Sequence, residues 1–261
     1  MIQDKNIFGD LHTHTIYSKH GYSTFKENID MAKRRGLSHI AITDHFYGNG
    51  DNIEQKNEIS RIEYMNDNIT CFERGITIVP GAEFNLNQMV DNKKLANLLW
   101  KPIGFHSWFL DKKSVTLDKL LELYIDSTKQ GVRNNVFAHI EREIDKIDNG
   151  KYKDQLPNEV KTFFDSIIDF AKENEIILEL NETSLRLNEC GCENRIRYWL
   201  KRAKENRNKI CLGTDAHYYR QVGNFHHTIA ILNEIDYPKE LILNCDIDWM
   251  NEMFKNVKEN L

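Results

Sequence analysis

The chain has 261 residues, 40% hydrophobic and 29% charged, with a formal net charge of -5. That length supports one large domain or two small ones, and the charge balance excludes the strongly basic footprint of an electrostatic nucleic-acid binder. No run reaches the ~18 consecutive apolar residues of a membrane helix, and the opening Met1-Ile2-Gln3-Asp4-Lys5-Asn6 lacks the apolar stretch of a signal peptide.

In chain order, seven short apolar runs read as strands: 7–11, 39–43, 77–81, 101–105, 136–139, 176–180 and 210–213. Helical patterns fill most of the gaps: 26–35, stopped by Gly36; 54–74, stopped by Gly75; 117–129; 160–173, preceded by Pro157; 194–205; 225–235; and a closing helix at 248–258. Pro102 inside the fourth run complicates that strand's start. Strand–helix alternation predicts an α/β fold with a parallel sheet. Seven units point to a closed barrel more than an open sheet. Neither a Gly-rich dinucleotide fingerprint nor a P-loop is present. With 4 prolines, 13 glycines and no low-complexity linker, residues 1–261 read as one domain. The 5 cysteines form no CxxC pair and read as free thiols, which places the protein in a reducing cytoplasm.

Ligand-type residues recur at the C-terminal ends of these strands, the face on which α/β barrels build active sites. The first is followed by Asp10-Leu11-His12-Thr13-His14 and His20, the second ends at Asp44-His45, and the third at Glu83. The fourth ends at His106, the fifth at His139, and the seventh at Asp215-Ala216-His217. Only the sixth delivers none. Residues two apart in an extended segment point to one side, so His12 with His14, and Asp215 with His217, can approach one ion. Imidazole suits zinc, manganese and iron, and a carboxylate can bridge two ions. A single histidine at a strand end is more often structural, and Asp10 and Asp44 can be turn or capping residues. Seven of the ten histidines at one end make a metal centre the better reading. His39, His226 and His227 are assigned no site role.

These motifs resemble the PHP (polymerase and histidinol phosphatase) family over the whole chain. The residues 14–24 and Leu178-Glu179-Leu180-Asn181-Glu182-Thr183-Ser184 look most like its small stand-alone phosphatases, the YcdX-like branch. The resemblance implies a distorted (β/α)7, TIM-barrel-like fold and three divalent metal ions, zinc first, then manganese or iron. Position by position it implies nine ligands: His12, His14, His20, His45, Glu83, His106, His139, Asp215 and His217. One ion would take His12, His14, Glu83 and Asp215. A second would take His106 and His139 and share Glu83, and a third His20, His45 and His217. After His139 the chain reads Ile140-Glu141-Arg142 where related phosphatases commonly carry Pro-Gly. The stretch between Glu83 and His106, with Lys93 and Lys94, reads as a variable excursion.

The expected activity is hydrolysis of small phosphate monoesters by a metal-activated hydroxide, with the pKa of water lowered to roughly 7. Glu83, Asp215 and His217 are expected to be catalytic through the metals. Three divalent ions outweigh two carboxylates and a hydroxide, so the pocket should attract an anion. Candidate substrate contacts are Lys19, Arg142, Asn181 and Arg186. The alternatives are a 3′–5′ exonuclease or nucleotide phosphatase, a histidinol-phosphate phosphatase, and a non-catalytic binding module. A nucleic-acid partner is less favoured because no basic-aromatic stripe is evident.

Overall fold

The computed structural model describes residues 1–46, 75–86, 99–105, 111–129, 135–187 and 192–255. The expected helix at 54–74, the segment with Lys93 and Lys94, Cys71, Cys190 and His106 lie outside the described residues. So do the last residues of the closing helix.

All seven expected strands are present: β1 (Gly9–Thr13), β2 (His39–Ile42), β3 (Thr77–Pro80), β5 (Lys101–Gly104), β6 (Asn135–Phe137), β7 (Ile177–Asn181) and β8 (Ile210–Gly213). A two-residue strand, β4 (Phe84–Asn85), is additional. Every recorded pairing is parallel. Among the described residues the strands form two sheets, β1-β2-β3 and β4-β5-β6-β7-β8. Single parallel bridges tie the sheets together: Thr13 to Ala216, His45 to Glu83 and Gly81 to Trp100. The first two join segments that carry predicted site residues.

Pro102 lies within β5, opposite Val136. The carbonyls of Trp100 and Gly104 accept from Ala82 and Leu86, so by alternation Pro102 faces the β3–β4 side. Its missing N–H therefore falls at the irregular seam between the sheets, where regular pairing is already interrupted.

The helices are α1 (Phe25–Arg34), α2 (Leu117–Thr128), α3 (Asn158–Glu173), α4 (Glu182–Leu187), α5 (Cys192–Glu205), α6 (His226–Ile235) and α7 (Ile247–Met253). Their starts follow local chemistry. Thr24 and Glu27 form a reciprocal capping box on α1. Thr116 caps α2 and Asp246 caps α7. Gly36, at φ +74°, ends α1 in a conformation that costs glycine little.

Strand alternation separates outward-facing packing from an inner core. Phe137, Leu178, Leu180, Ile210 and Leu212 face outward against α2, α3, α5 and α6. On α3, Val160, Phe163, Phe164, Ile167, Ile168 and Ala171 are fully buried at helical spacing, each large side chain contributing about 1.5–3 kcal/mol. Facing the other way, Leu11, Ala41, Val79, Trp100, Val136, Ile177 and Cys211 form an inner cluster drawn from both sheets, closed by Leu243, Met250 and Phe254. Along β7 and β8 the same parity puts Glu179 beyond Ile177 and Gly213 beyond Cys211. The inner cluster thus floors the C-terminal end, where the ligand-type residues stand. Cys211 and Cys245 are buried free thiols.

Candidate metal centre

His12 lies inside β1, which runs two residues further than its apolar run suggests. The register of β1 on β2 shifts between Asp10 and Thr13. A regular pleat would send consecutive residues to opposite faces. The irregularity lets Leu11 join the inner cluster while His12 enters the site. His14 follows, with its Nε2 3.0 Å from that of His12.

Glu83 sits between four imidazoles. Its Oε2 is 3.3 Å from His12 Nε2, 3.4 Å from His14 Nε2 and 2.8 Å from His45 Nδ1, and its Oε1 is 2.8 Å from His139 Nε2. Asp215 Oδ1 is 3.1 Å from His14 Nε2, and Asp215 Oδ2 accepts from Arg142 at 2.6 Å. At the rim, His20 Nε2 is 2.8 Å from His217 Nε2 and 3.3 Å from His45 Nε2. Ligand atoms of His12, His14 and Asp215, and those of His14, His45 and His217, lie within 4.8 Å of one another. His14 belongs to both groups, so the two groups meet at this one residue. His12, His14, His45, Glu83, His139 and Asp215 are buried, and His20 reaches solvent. The cluster is thus deep at one side and open at the other.

Backbone strain accompanies it. His139 (φ 33°) and Asp215 (φ 52°) both occupy the left-handed region, which costs on the order of 1–3 kcal/mol per residue. Asp215 and His217 therefore reach the site from a left-handed turn, and strand alternation does not explain their pairing.

Supporting groups indicate which nitrogen is protonated in three of the rings, those of His12, His14 and His217. Asp44 accepts from the Thr15 amide and hydroxyl and from the Ser18 hydroxyl. With its proton given to Asp44, Ser18 Oγ can only accept from His14 Nδ1, at 2.9 Å. His12 Nδ1 donates to Glu179 Oε1 at 2.7 Å, and His217 Nδ1 to the Asp215 carbonyl at 3.0 Å. The Nε2 atoms of His12, His14 and His217 are left facing one another, His20 and the carboxylates. Such a donor set calls for positive charge. Against the effect of burial, Glu179 and Glu83 hold His12 well above the usual imidazole range. Burial, then His45, pushes His14 well below it. Burial, then His217 and His45, lowers His20 to about 4. Against burial, Arg142 holds Asp215 well below the carboxylate range. Imidazole nitrogens and ionised carboxylates with fixed outer partners fit divalent cations, which would displace the extra proton that Glu179 and Glu83 favour on His12.

The family model for the PHP domain matches residues 10–183, about two thirds of the chain. The chain belongs to the PHP domain family. A probable phosphatase of Caldanaerobacter subterraneus is 25% identical over 266 residues, covering 97% of this chain and 92% of the relative. A probable phosphatase of Clostridium novyi is 29% identical over 240 residues, covering 91% and 90%. In fold, the chain is similar to histidinol phosphate phosphatase from Lactococcus lactis, whose crystal structure is a complex with zinc, L-histidinol and phosphate. That likeness has a TM-score of 0.59 at 18% identity and covers 88% of this chain and 94% of that one. A Listeria monocytogenes protein described as a putative histidinol phosphatase gives a TM-score of 0.59 at 15% identity, covering 84% and 99%.

The PHP match ends before Asp215 and His217, and only the fold brings them to its motifs. It also gives the sixth predicted strand a role. Glu179, on β7, orients His12 and also accepts from the His139 amide at 3.2 Å. A carboxylate in a buried apolar run is its only sequence signature. Ser18 and Asp44 play the corresponding part for His14. Asp10 accepts from the amide and hydroxyl of Thr214 and the amide of Gly223, and burial raises its carboxyl to about 6.

The four candidate substrate residues separate. Arg142 reaches the centre through Asp215. The turn after His139, closed by Arg142 N–H on the His139 carbonyl, positions this guanidinium. The Asn181 side chain is engaged by the Ser184 amide at the start of α4 and by Glu179. Arg186 is exposed and donates to Thr183 Oγ1. Lys19 is exposed in a left-handed turn beside His20.

Proposed function

We propose that this PHP domain protein is a metal-dependent phosphatase that hydrolyses small phosphate monoesters. In this reading the two sheets form a distorted seven-unit β/α barrel, and its nine ligands hold three ions: His12, His14, His20, His45, Glu83, His106, His139, Asp215 and His217. Zinc is the first choice, then manganese or iron. The observation that carries the proposal is the convergence of imidazole Nε2 atoms 2.8–3.0 Å apart, with the other nitrogens of His12, His14 and His217 already committed. The names of the curated relatives support phosphatase activity.

Bound divalent ions would supply Lewis acidity and a water acidified toward roughly 7. The chain supplies orientation. Glu83 reaches four imidazoles and holds the two halves of the cluster together. Arg142 neutralises Asp215 from one side and, 32% exposed, offers its remaining N–H groups to a phosphoryl oxygen. His20 and His217, at the open side, mark where substrate enters. A protein nucleophile is not needed, and the nearby hydroxyls are spent. Ser18 and Thr15 both donate to Asp44, and Cys211, buried, has its thiol pushed well above its usual range by burial.

The test combines elemental analysis of unchelated protein with phosphate release from a panel of phosphorylated metabolites. Histidinol phosphate belongs in the panel because of the fold likeness. Bound transition metal and chelator-sensitive release are expected. Metal-loaded protein inert toward every monoester, or releasing nucleotides from an oligonucleotide instead, would overturn the proposal.

A further inference from the structure

Two loops carry the open side of the cluster: residues 15–24, with His20, and residues 217–221, with His217. Among the described residues, the exposed large apolar side chains are Met1 at the chain start and Ile16, Tyr17, Tyr22 and Tyr218. All but Met1 lie on these two loops. Tyr22 is 80% exposed and Ile16 51%. Isolated exposed apolar residues are ordinary, but their concentration at one place marks a binding surface.

Backbone hydrogen bonds join the two loops, and within the second the Tyr218 ring packs on that of Tyr219. Their backbones are tied by Ile16 N–H to the Ser23 carbonyl, Tyr22 N–H to the His217 carbonyl and Tyr219 N–H to Ser23 Oγ. At Gly21 the loop folds so closely that an added Cβ would stand 2.1 Å from the Thr15 carbonyl oxygen. Two fixed loops therefore present tyrosines beside His20 and His217, whose ring nitrogens are 2.8 Å apart.

We infer that Tyr22 and Tyr218, with Ile16 and Tyr17, form the leaving-group subsite, and that the preferred monoester carries a planar ring next to its phosphate. The inference rests on the phosphatase reading and names its substrate class. With phosphate at the cluster, the leaving group extends across the open side. Tyrosine offers a flat apolar face with a polar tip, which suits an aromatic or heteroaromatic ring bearing polar substituents. Exposed Lys19 and Arg220 on the same loops add positive charge to the approach of an anionic ester.

The experiment compares benzyl phosphate with cyclohexylmethyl phosphate. Their leaving alcohols are similar in size and acidity, so the chemical step is matched and only ring planarity differs. The expected wild-type preference for benzyl phosphate in kcat/KM is about tenfold. Tyr22→Ala and Tyr218→Ala should each bring the ratio toward one, whereas Tyr22→Phe should keep it. A wild-type ratio near one, or a ratio untouched by both alanine variants, overturns the inference while leaving the phosphatase reading in place. If neither ester is hydrolysed, the phosphatase reading is decided separately by the metabolite panel. Calorimetric affinities for benzylphosphonate and cyclohexylmethylphosphonate then decide the subsite, and equal affinities overturn it.

Discussion

Glu179 and His12 stand 167 positions apart in the chain, yet their side chains meet at 2.7 Å with both buried. The carboxylate fixes the His12 proton on Nδ1 and leaves Nε2 for the cluster. Glu179→Gln keeps the shape and can still accept one hydrogen bond, but loses the charge. The expected result is a folded protein whose apparent metal affinity falls roughly 10–100-fold. Competition against a chelator of known affinity checks it, and an unchanged affinity would remove Glu179 from the site.

Gly213 lies under that pair. A Cβ there would sit 2.1 Å from Glu179 Oε1 and 2.4 Å from His12 Cβ. Neither neighbour can yield without breaking the contact that orients His12. Gly213→Ala is expected to destabilise the fold by about 1–3 kcal/mol and to lower metal content. Urea unfolding with elemental analysis on the same sample reads both effects, and wild-type values for both would show that the pair moves freely.

Glu83 touches His12, His14, His45 and His139. Its replacement by glutamine removes a negative charge shared by four rings. The loss in kcat/KM should exceed about a hundredfold, beyond that expected for an outer partner, and metal content should fall with it. Intact turnover and metal content in Glu83→Gln would sink the proposed centre.

Lys112 and Glu143 form a buried ion pair that anchors the turn carrying His139 and Arg142. Against burial, Lys112 holds the Glu143 carboxyl below its ordinary value of 4.5. Burial, opposed by Glu143, lowers Lys112. For a carboxyl depressed in the folded state, the unfolded chain binds the proton more tightly. The pair's contribution is thus present above about pH 4.5 and is lost as pH falls through the folded pKa. Glu143→Gln leaves a buried ammonium without its counter-charge, which costs about 3 kcal/mol. Its stability should fall less than the wild type's as pH drops below 4.5, as denaturant midpoints measured across that range will show.

Much of the fold was legible because its cues are local. Apolar runs and the Thr24-to-Glu27 cap need only neighbouring residues, and strands β2, β3, β5 and β8 begin where their runs do. Helix α4 was not foreseen. Its start depends on Asn181 accepting from the Ser184 amide at the end of a buried strand, and in sequence that segment reads as strand followed by loop.

By itself the sequence determined the parallel α/β pattern and the placement of histidines, Glu83 and Asp215 at strand ends, because period-two alternation and strand termini are encoded within a few residues. The tertiary structure decided what those residues are to one another. The β1 irregularity that lets Leu11 and His12 both face inward, the left-handed Asp215, and the meetings of Glu179 with His12 and Arg142 with Asp215 depend on strand order and register. Contacts between residues 73 to 167 positions apart leave no periodic trace in the chain, since nothing near either partner in sequence records the other's position.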